Sequence, residues 1–428
     1  MHVLLRRTLR LFTLLLMVAA AWPSVAASAD TSAWQAISPS TPLLSFAIDP
    51  ANEQQVYTGG PGGLWQSTDG GATWQKVGAT ALGHDLAIDP FAPNVIYASA
   101  FSGGTSPIED QLLKSADGGA TWSKVYQVPA GGDQSAIDGL LVDPNHQNAL
   151  FLGLVARSDC CAQVARSLDG GVTWTLILPP NIGFGGLINA SARTLATLPA
   201  ASGLLYVGTI TYHGGEIMRT TDAYATPMPA WSALSVPLPE LTGPSLLAAA
   251  GSAAQHSVYA VYTLIGASDL VRSDNDTAAI SLASHLPLRT PTQPVQVEGM
   301  TVNPAQPLWL YIAVATTALT SGATQQRGFY ASPDAGQSWL AMPPLGQQVQ
   351  QLSLAVQPHI LYALTAAGLY RWTITWPVGA DFTGYYQQVD GLRLLGSAIS
   401  PQTTVNGYPA QYFEKGRLED HSAEHVPA

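Results

Sequence analysis

Eight residues written three times, an apolar segment repeated at a fixed distance from an aromatic, and a composition rich in turn formers predict an all-β protein. The expected architecture is a single seven-bladed β-propeller of four-stranded antiparallel blades with a small C-terminal appendage. The eight residues are STDGGATW at 67–74, SADGGATW at 115–122 and SLDGGVTW at 167–174. Of the 428 residues 47% are hydrophobic and only 11% charged, with 40 Gly and 31 Pro. That balance suits many short strands joined by turns better than helices laced with ion pairs.

In chain order the first element is not structural. MHVLLRRTLRLFTLLLMVAAAWPSVAASAD sets Arg6, Arg7 and Arg10 before an apolar run from Leu11 to Ala21 and then small residues, the pattern of a secretory signal peptide. Ala27, Ser28 and Ala29 form an A-x-A site, so residues 1–29 are expected to be removed and the mature chain to begin at Asp30. The run is shorter than the ~20 residues that cross a bilayer. A secreted mature chain without a transmembrane span is expected, with peripheral cell-surface association open to it.

From there on the chain repeats itself, and the period defines the fold. The Asp of the box recurs at Asp69, Asp117, Asp169 and Asp334, and each copy follows a second landmark: an apolar strand ending in Pro with Tyr or Phe seven residues later. That spacing joins Pro50 to Tyr57, Pro90 to Tyr97, Pro144 to Phe151, Pro199 to Tyr206 and Pro304 to Tyr311. SLLAAAGSAAQHSVY, ending at Tyr259, and LSLAVQPHILY, ending at Tyr362, are weaker copies that bring the count to seven. Each unit parses as strand, turn, strand, variable loop, strand, box turn, strand, a four-stranded meander. One such sheet cannot bury its own apolar face, so seven stacked radially over residues 30–377 make the economical solution. TSAWQAIS at 31–38 looks like an outer strand without a unit before it, and the last unit has none after LYRW. Residues 33–38 are therefore expected to complete the seventh blade.

The box residues suit a hairpin turn. Asp accepts backbone N–H groups, Gly takes positive φ, Ser or Thr adds a local bond, and Trp supplies an apolar face to bury between blades. Asp69, Trp74, Asp117, Trp122, Asp169, Trp174, Asp334 and Trp339 are thus read as structural, since equivalent positions in a ring stand too far apart to meet at one ligand. S/T-x-D-x-G-x-T-W resembles the Asp-box, or bacterial neuraminidase repeat. Over residues 31–376 the units resemble those of sialidases, xyloglucanases, sortilin-type receptors and photosystem II assembly propellers. The resemblance implies a propeller whose active face lies opposite the boxes, and it is shared by enzymes and plain binding proteins. The catalytic signatures do not carry over: there is no Arg-Ile-Pro segment, repeats for one propeller rather than two, and no basic patch. Arg166, Arg219, Arg272 and Arg371 stand just ahead of box positions, where the repeat accounts for them.

Function is therefore expected on the opposite face, in the loops between second and third strands and at the mouth of the central channel. The loops supply Glu109, Asp110, Asp159, His213, Glu216 and Arg327. A second set stands six residues before the repeat Pro: Leu44, His84, Asp138, Arg193 and Glu298. Asp138 and Glu298 would be acid and base only within ~5–10 Å of each other, and blades three and six lie almost opposite. Cys160 and Cys161, the only cysteines, sit adjacent in a variable loop, either as a strained vicinal disulfide or as two thiols. Too few ligands surround them for zinc, and no metal or cofactor is expected. With 17 Lys and Arg against 28 Asp and Glu, a formal charge of −11, and no basic cluster beyond the amino terminus, nucleic acid is excluded as a partner.

Residues 378–428 change character. From Phe382 to His421 they resemble a short module at the ends of secreted bacterial proteins, carried here by FTG, GLRLLG and QYFEKGRLE. Its aromatics Tyr385, Tyr386, Tyr408, Tyr412 and Phe413 are enough to pack a small appendage on the propeller. The leading expectation is an exported, non-catalytic propeller presenting a loop-built face to a protein or carbohydrate; the alternative is a glycoside hydrolase with carboxylates on that face.

Overall fold

Seven antiparallel four-stranded sheets follow one another along the chain, each built from an apolar first strand, a buried second strand and a more exposed edge. The computed structural model describes residues 34–420 except 40–41, 102–108, 130–133, 157–162, 179–194, 212–213, 237–242, 265–266, 291, 305, 318–324, 356–358, 377, 400–401, 406 and 414. The signal peptide, Asp159, Cys160, Cys161, Arg193 and His213 therefore lie outside the described residues, as does the Glu109 side chain.

Blade one consists of Ser45–Ile48, Val56–Gly60, Gly63–Ser67 and Gln75–Gly78. Blades two to six span 86–127, 134–176, 195–234, 244–281 and 295–342. Blade seven takes Val349–Ala355, Ile360–Thr365 and Gly368–Thr373 from the end of the repeat region and its outer strand, Gln35–Ala36, from the other end of the chain. Gln35 pairs with Arg371 and Ala36 with Tyr370, and the Ile37 N–H continues the ladder to the Leu369 carbonyl at 2.9 Å. The expected closure is realised. Trp34 completes the analogy with the other outer strands, its indole N–H donating to the Pro343 carbonyl of blade six at 2.8 Å.

The repeated aromatic explains why the sheets stack. Tyr57, Tyr97, Phe151, Tyr206, Tyr259, Tyr311 and Tyr362 occupy second strands and are at most 5% exposed. Each belongs to an apolar cluster shared with the following blade: Tyr57 with Ile96 of blade two, Phe151 with Leu205 of blade four, Tyr362 with Phe46 of blade one. Burying such a ring contributes roughly 2–3 kcal/mol, and the ring of blades holds seven. Side chains of the third strand add a second tie. Lys114 and Arg371 donate to the Gly170 and Gly70 carbonyls of the next blade at 2.9 and 2.7 Å, and Arg166 to Ala223 and Ala225 at 2.8 Å.

The box turn forms as its letters predict. Gly70 and Gly71 adopt φ of 67° and 92°, and a Cβ on Gly71 would lie 2.4 Å from Ile37 of blade seven. Blade six puts Ala335 at the first of these positions, at φ 60°. The tryptophans differ from expectation in degree: Trp74, Trp122, Trp174 and Trp339 are half-buried between blades, because the turn leaves one edge of each indole in solvent. Two indoles reach backwards with their N–H groups, Trp174 to Val125 at 2.9 Å and Trp231, from the decayed box of blade four, to Ile177 at 2.8 Å.

Beyond blade seven two short helices, Ala380–Gln388 and Gly391–Leu395, precede a three-stranded sheet of Thr403–Val405, Tyr408–Phe413 and Gly416–Glu419. Tyr386 stacks on Phe413 with centroids 5.2 Å apart, and Tyr412 meets Trp309 of blade six edge-on at 5.6 Å. Tyr385 stays 55% exposed. Among the described residues no helix is long and apolar enough to cross a membrane.

Candidate functional site

The first strands converge on an axial cavity of about 510 Å³ to which every blade contributes. Its wall is a ring of aliphatic side chains, Leu44, Leu86, Leu140, Leu195, Leu246, Met300 and Leu352, one from each blade. Alternation along a strand explains the ring: near the strand start one face meets the neighbouring blade and the other meets the axis. His84, Asp85, Glu298, Gln348, Gln350 and Gln351 supply the polar groups.

The register six residues before the repeat Pro does mark this mouth. Leu44, His84 and Glu298 line it, and Asp138 is half-buried beside the lining residue Gly139. Arg327, expected on a separate loop, is bonded to one of them, Glu298. Its Nε donates to Glu298 Oε1 at 3.1 Å, while the Val349 N–H of blade seven donates to Oε2 at 3.3 Å. The Glu298 side chain is only 7% exposed, and a guanidinium and one amide satisfy it there. Gln351 is likewise engaged: its carboxamide accepts from the Phe46 N–H at 3.2 Å and donates to the Phe46 carbonyl at 3.0 Å, tying blade seven to blade one. Gln348, Gln350 and His84 remain solvent-exposed at the mouth.

The other expected loop residues do not gather at the mouth. Asp110 accepts from the Gln127 carboxamide at 3.0 Å within its own blade, and Glu216 is half-buried on blade four, close enough for its charge to help burial hold the Tyr262 hydroxyl protonated well above the usual phenol range. Sequence reasoning missed Gln348, Gln350 and Gln351, because blade seven, like blade five, lacks the spacing that located the first strands of the other five blades. Their signal was the run of carboxamides itself, 347–351.

On the other face the box carboxylates are saturated by their own turns. Asp69 accepts the Ser67 hydroxyl at 2.8 Å, the Thr73 N–H at 2.8 Å and the Thr73 hydroxyl at 2.6 Å; Ser67 Oγ in turn accepts the Gly71 N–H at 2.7 Å. Asp117, Asp169 and Asp334 repeat the pattern, with Ser338 standing for Thr in the last. Hydrogen bonds from Thr, first of all its hydroxyl, hold Asp69, Asp117 and Asp169 down at about 2. These groups spend their lone pairs on the turn. Among the described residues no group of three or more His, Cys, Asp or Glu could hold a metal ion.

No family model matches the chain, and no curated protein does. Solved structures do. The GH74 xyloglucanase of Xanthomonas campestris superposes with a TM-score of 0.58 at 15% identity, over 90% of this chain and 56% of that one. YCF48 from Cyanidioschyzon merolae superposes at 0.50 and 14% identity, over 80% of this chain and 98% of that one. The chain thus spans little more than half the length of the xyloglucanase, and at these identities the likeness is one of fold.

Proposed function

We propose that this is an exported, non-catalytic binding propeller whose axial mouth takes a protruding segment of a partner protein. The observation that supports the reading best is the composition of the mouth. A leucine-lined wall rimmed by carboxamides offers apolar burial together with donors and acceptors for a peptide backbone. Among the described lining residues there is no Trp, Tyr or Phe ring on which a sugar would stack. The carboxylate best placed for chemistry, Glu298, is held by Arg327 and an amide.

In this reading the eight-residue turn is an Asp-box, residues 1–29 direct export and are removed, 30–377 form the propeller and 378–428 a separate tail module. The ligand set at the mouth is His84, Asp138, Glu298 and Arg327, with Gln348 and Gln350 added. Arg193, six residues before its repeat Pro, is assigned to the same mouth, and Glu109, Asp110, His213 and Glu216 to the loop set of that face. No cofactor, metal or nucleic acid enters the scheme.

A peptide-array screen on the chain from Asp30, with a chromogenic glycosidase panel run in parallel, tests it. Binding that weakens about tenfold on joint Gln348→Ala and Gln350→Ala substitution supports the reading. The alternative, a glycoside hydrolase, is favoured by the xyloglucanase likeness. Turnover that disappears in Glu298→Gln would establish that alternative instead.

A further inference from the structure

The turn-bearing face holds a second cavity, of about 550 Å³, at the seam between blades five and six. It lies at the opposite ends of the strands from the axial mouth, since His256 pairs with Gly251 at the end of a first strand whose beginning, Leu246, lines the axis. Blade five supplies Gln255 and the Arg272–Asp274 pair, blade six supplies Gln306, Leu308 and Trp309, and the C-terminal appendage closes the cleft with Tyr412.

Three features define what could occupy it. Charge is cancelled: Arg272 Nε donates to both Asp274 oxygens at 2.8 and 2.9 Å, so neither an anion nor a cation finds an unmatched counter-charge there. Hydrogen-bonding capacity is left over, since the exposed carboxamides of Gln255 and Gln306 have no side-chain partner among the described residues, and each carries donors and an acceptor. An apolar surface faces them, made of the Tyr412 ring, set edge-on to the buried Trp309 at 5.6 Å, and of Leu308, half exposed at 50%.

We propose that this cleft binds a neutral saccharide, with the C–H face of one sugar ring against Tyr412 and Leu308 and its hydroxyls on Gln255, Gln306 and the outer edge of Asp274. A sugar hydroxyl both donates and accepts, which a carboxamide matches and a lone charged group does not. The cavity falls within the ~300–1,000 Å³ of small-ligand pockets. The docked appendage gains a purpose from this, because it contributes the ring that turns an open seam into a cleft. The site is separate from the mouth in residues and in ligand class.

Calorimetric titration of the full chain with maltotetraose, cellotetraose and mannotetraose tests the proposal. At least one is expected to bind with Kd of about 1 mM or tighter, and Gln255→Ala and Gln306→Ala, both exposed positions, to weaken it about tenfold each. Tyr412→Ala is expected to abolish binding, with a thermal melt confirming that blade six stays folded. Heat from none of the three sugars, or binding that survives both glutamine substitutions unchanged, overturns the proposal.

Discussion

Two junctions of the ring do the same job with different atoms. Between blades two and three, Tyr97 and Lys114 converge on the Gly170 carbonyl at 3.4 and 2.9 Å, a backbone acceptor presented by an intact box turn. Between blades four and five the box has decayed to SDNDTAA, Asn275 and Asp276 take the two left-handed positions at φ 50° and 59°, and the acceptor is the Asp276 carboxylate. Tyr206 donates to it at 2.5 Å, the Arg219 guanidinium forms an ion pair with it at 2.8 Å, and His256 lies 3.3 Å away. What the repeat preserves is an acceptor at a point in space, and the letters are one way of putting it there. A carbonyl cannot be removed by substitution or protonation; a carboxylate can.

The sharpest way to break the comparison is Asp276→Ala. It strands Arg219 and the Tyr206 hydroxyl at a side chain only 13% exposed, and removing one member of such a buried set costs about 3–5 kcal/mol. Urea denaturation followed by tryptophan fluorescence measures it. A loss below about 1 kcal/mol would mean that the carboxylate does not replace the carbonyl.

The indoles sharpen the same contrast at a smaller scale. Trp174 donates to Val125 at 2.9 Å and packs on Tyr126 with centroids 5.1 Å apart, whereas the buried Trp122 N–H has no partner among the described residues. Both rings are half-buried, so full burial energies do not apply. Trp174→Ala is expected to cost about 3 kcal/mol and Trp122→Ala about 2 kcal/mol. Equal losses would show that the hydrogen bond across the junction contributes nothing.

How much of this was written in the sequence follows from what each residue must do. Tyr57, Tyr97 and Tyr206 were visible because the second strand sets a buried aromatic at one distance from the preceding turn, and that distance is a countable spacing. Gln35 and Ala36 were visible because an outer strand without a blade must pair somewhere. The axial residues were visible only where the repeat Pro fixed the register: Glu298 and His84 came out, Gln348 and Gln350 did not. Arg327 could be assigned to a loop but not to Glu298, since a contact between a first and a third strand depends on strand twist and rotamer, which no spacing records. Tyr412 carried no signal of the seam it closes, because its partner Trp309 lies about a hundred residues earlier, across an interface of two differently patterned segments.

Removing only a hydroxyl isolates the acceptor. Tyr206→Phe deletes a bond to a charged group and is expected to cost about 1.5–3 kcal/mol, whereas Tyr97→Phe deletes a long bond of 3.4 Å to a carbonyl and is expected to cost about 0.5–1 kcal/mol. Chemical denaturation of the two variants side by side measures the difference. If Tyr97→Phe proved the more damaging, the ranking of carboxylate over carbonyl would be wrong.

The smallest effect per residue is the one read by pH, and it belongs to the intact boxes. Asp69, Asp117 and Asp169 titrate at about 2 in the folded chain because their turns donate to the carboxylate, against ~3.9 in an unfolded one. A folded value below the unfolded value means that the unfolded state binds protons first as pH falls. The contribution of these groups is therefore fully present above about pH 4 and drains away between about pH 4 and about pH 2. Carboxyl-carbon NMR titration is expected to give three midpoints near 2, and Asp69→Asn to lower stability slightly at neutral pH and make the acid limb less steep, variant and parent converging towards pH 2. Since these carboxylates are exposed, each step is small. Midpoints at the ordinary carboxylate value would show that the Thr73, Thr121 and Thr173 bonds, drawn at 2.8, 2.9 and 2.9 Å, do not persist in solution, and the intact turn would lose the feature that separates it from its decayed copy.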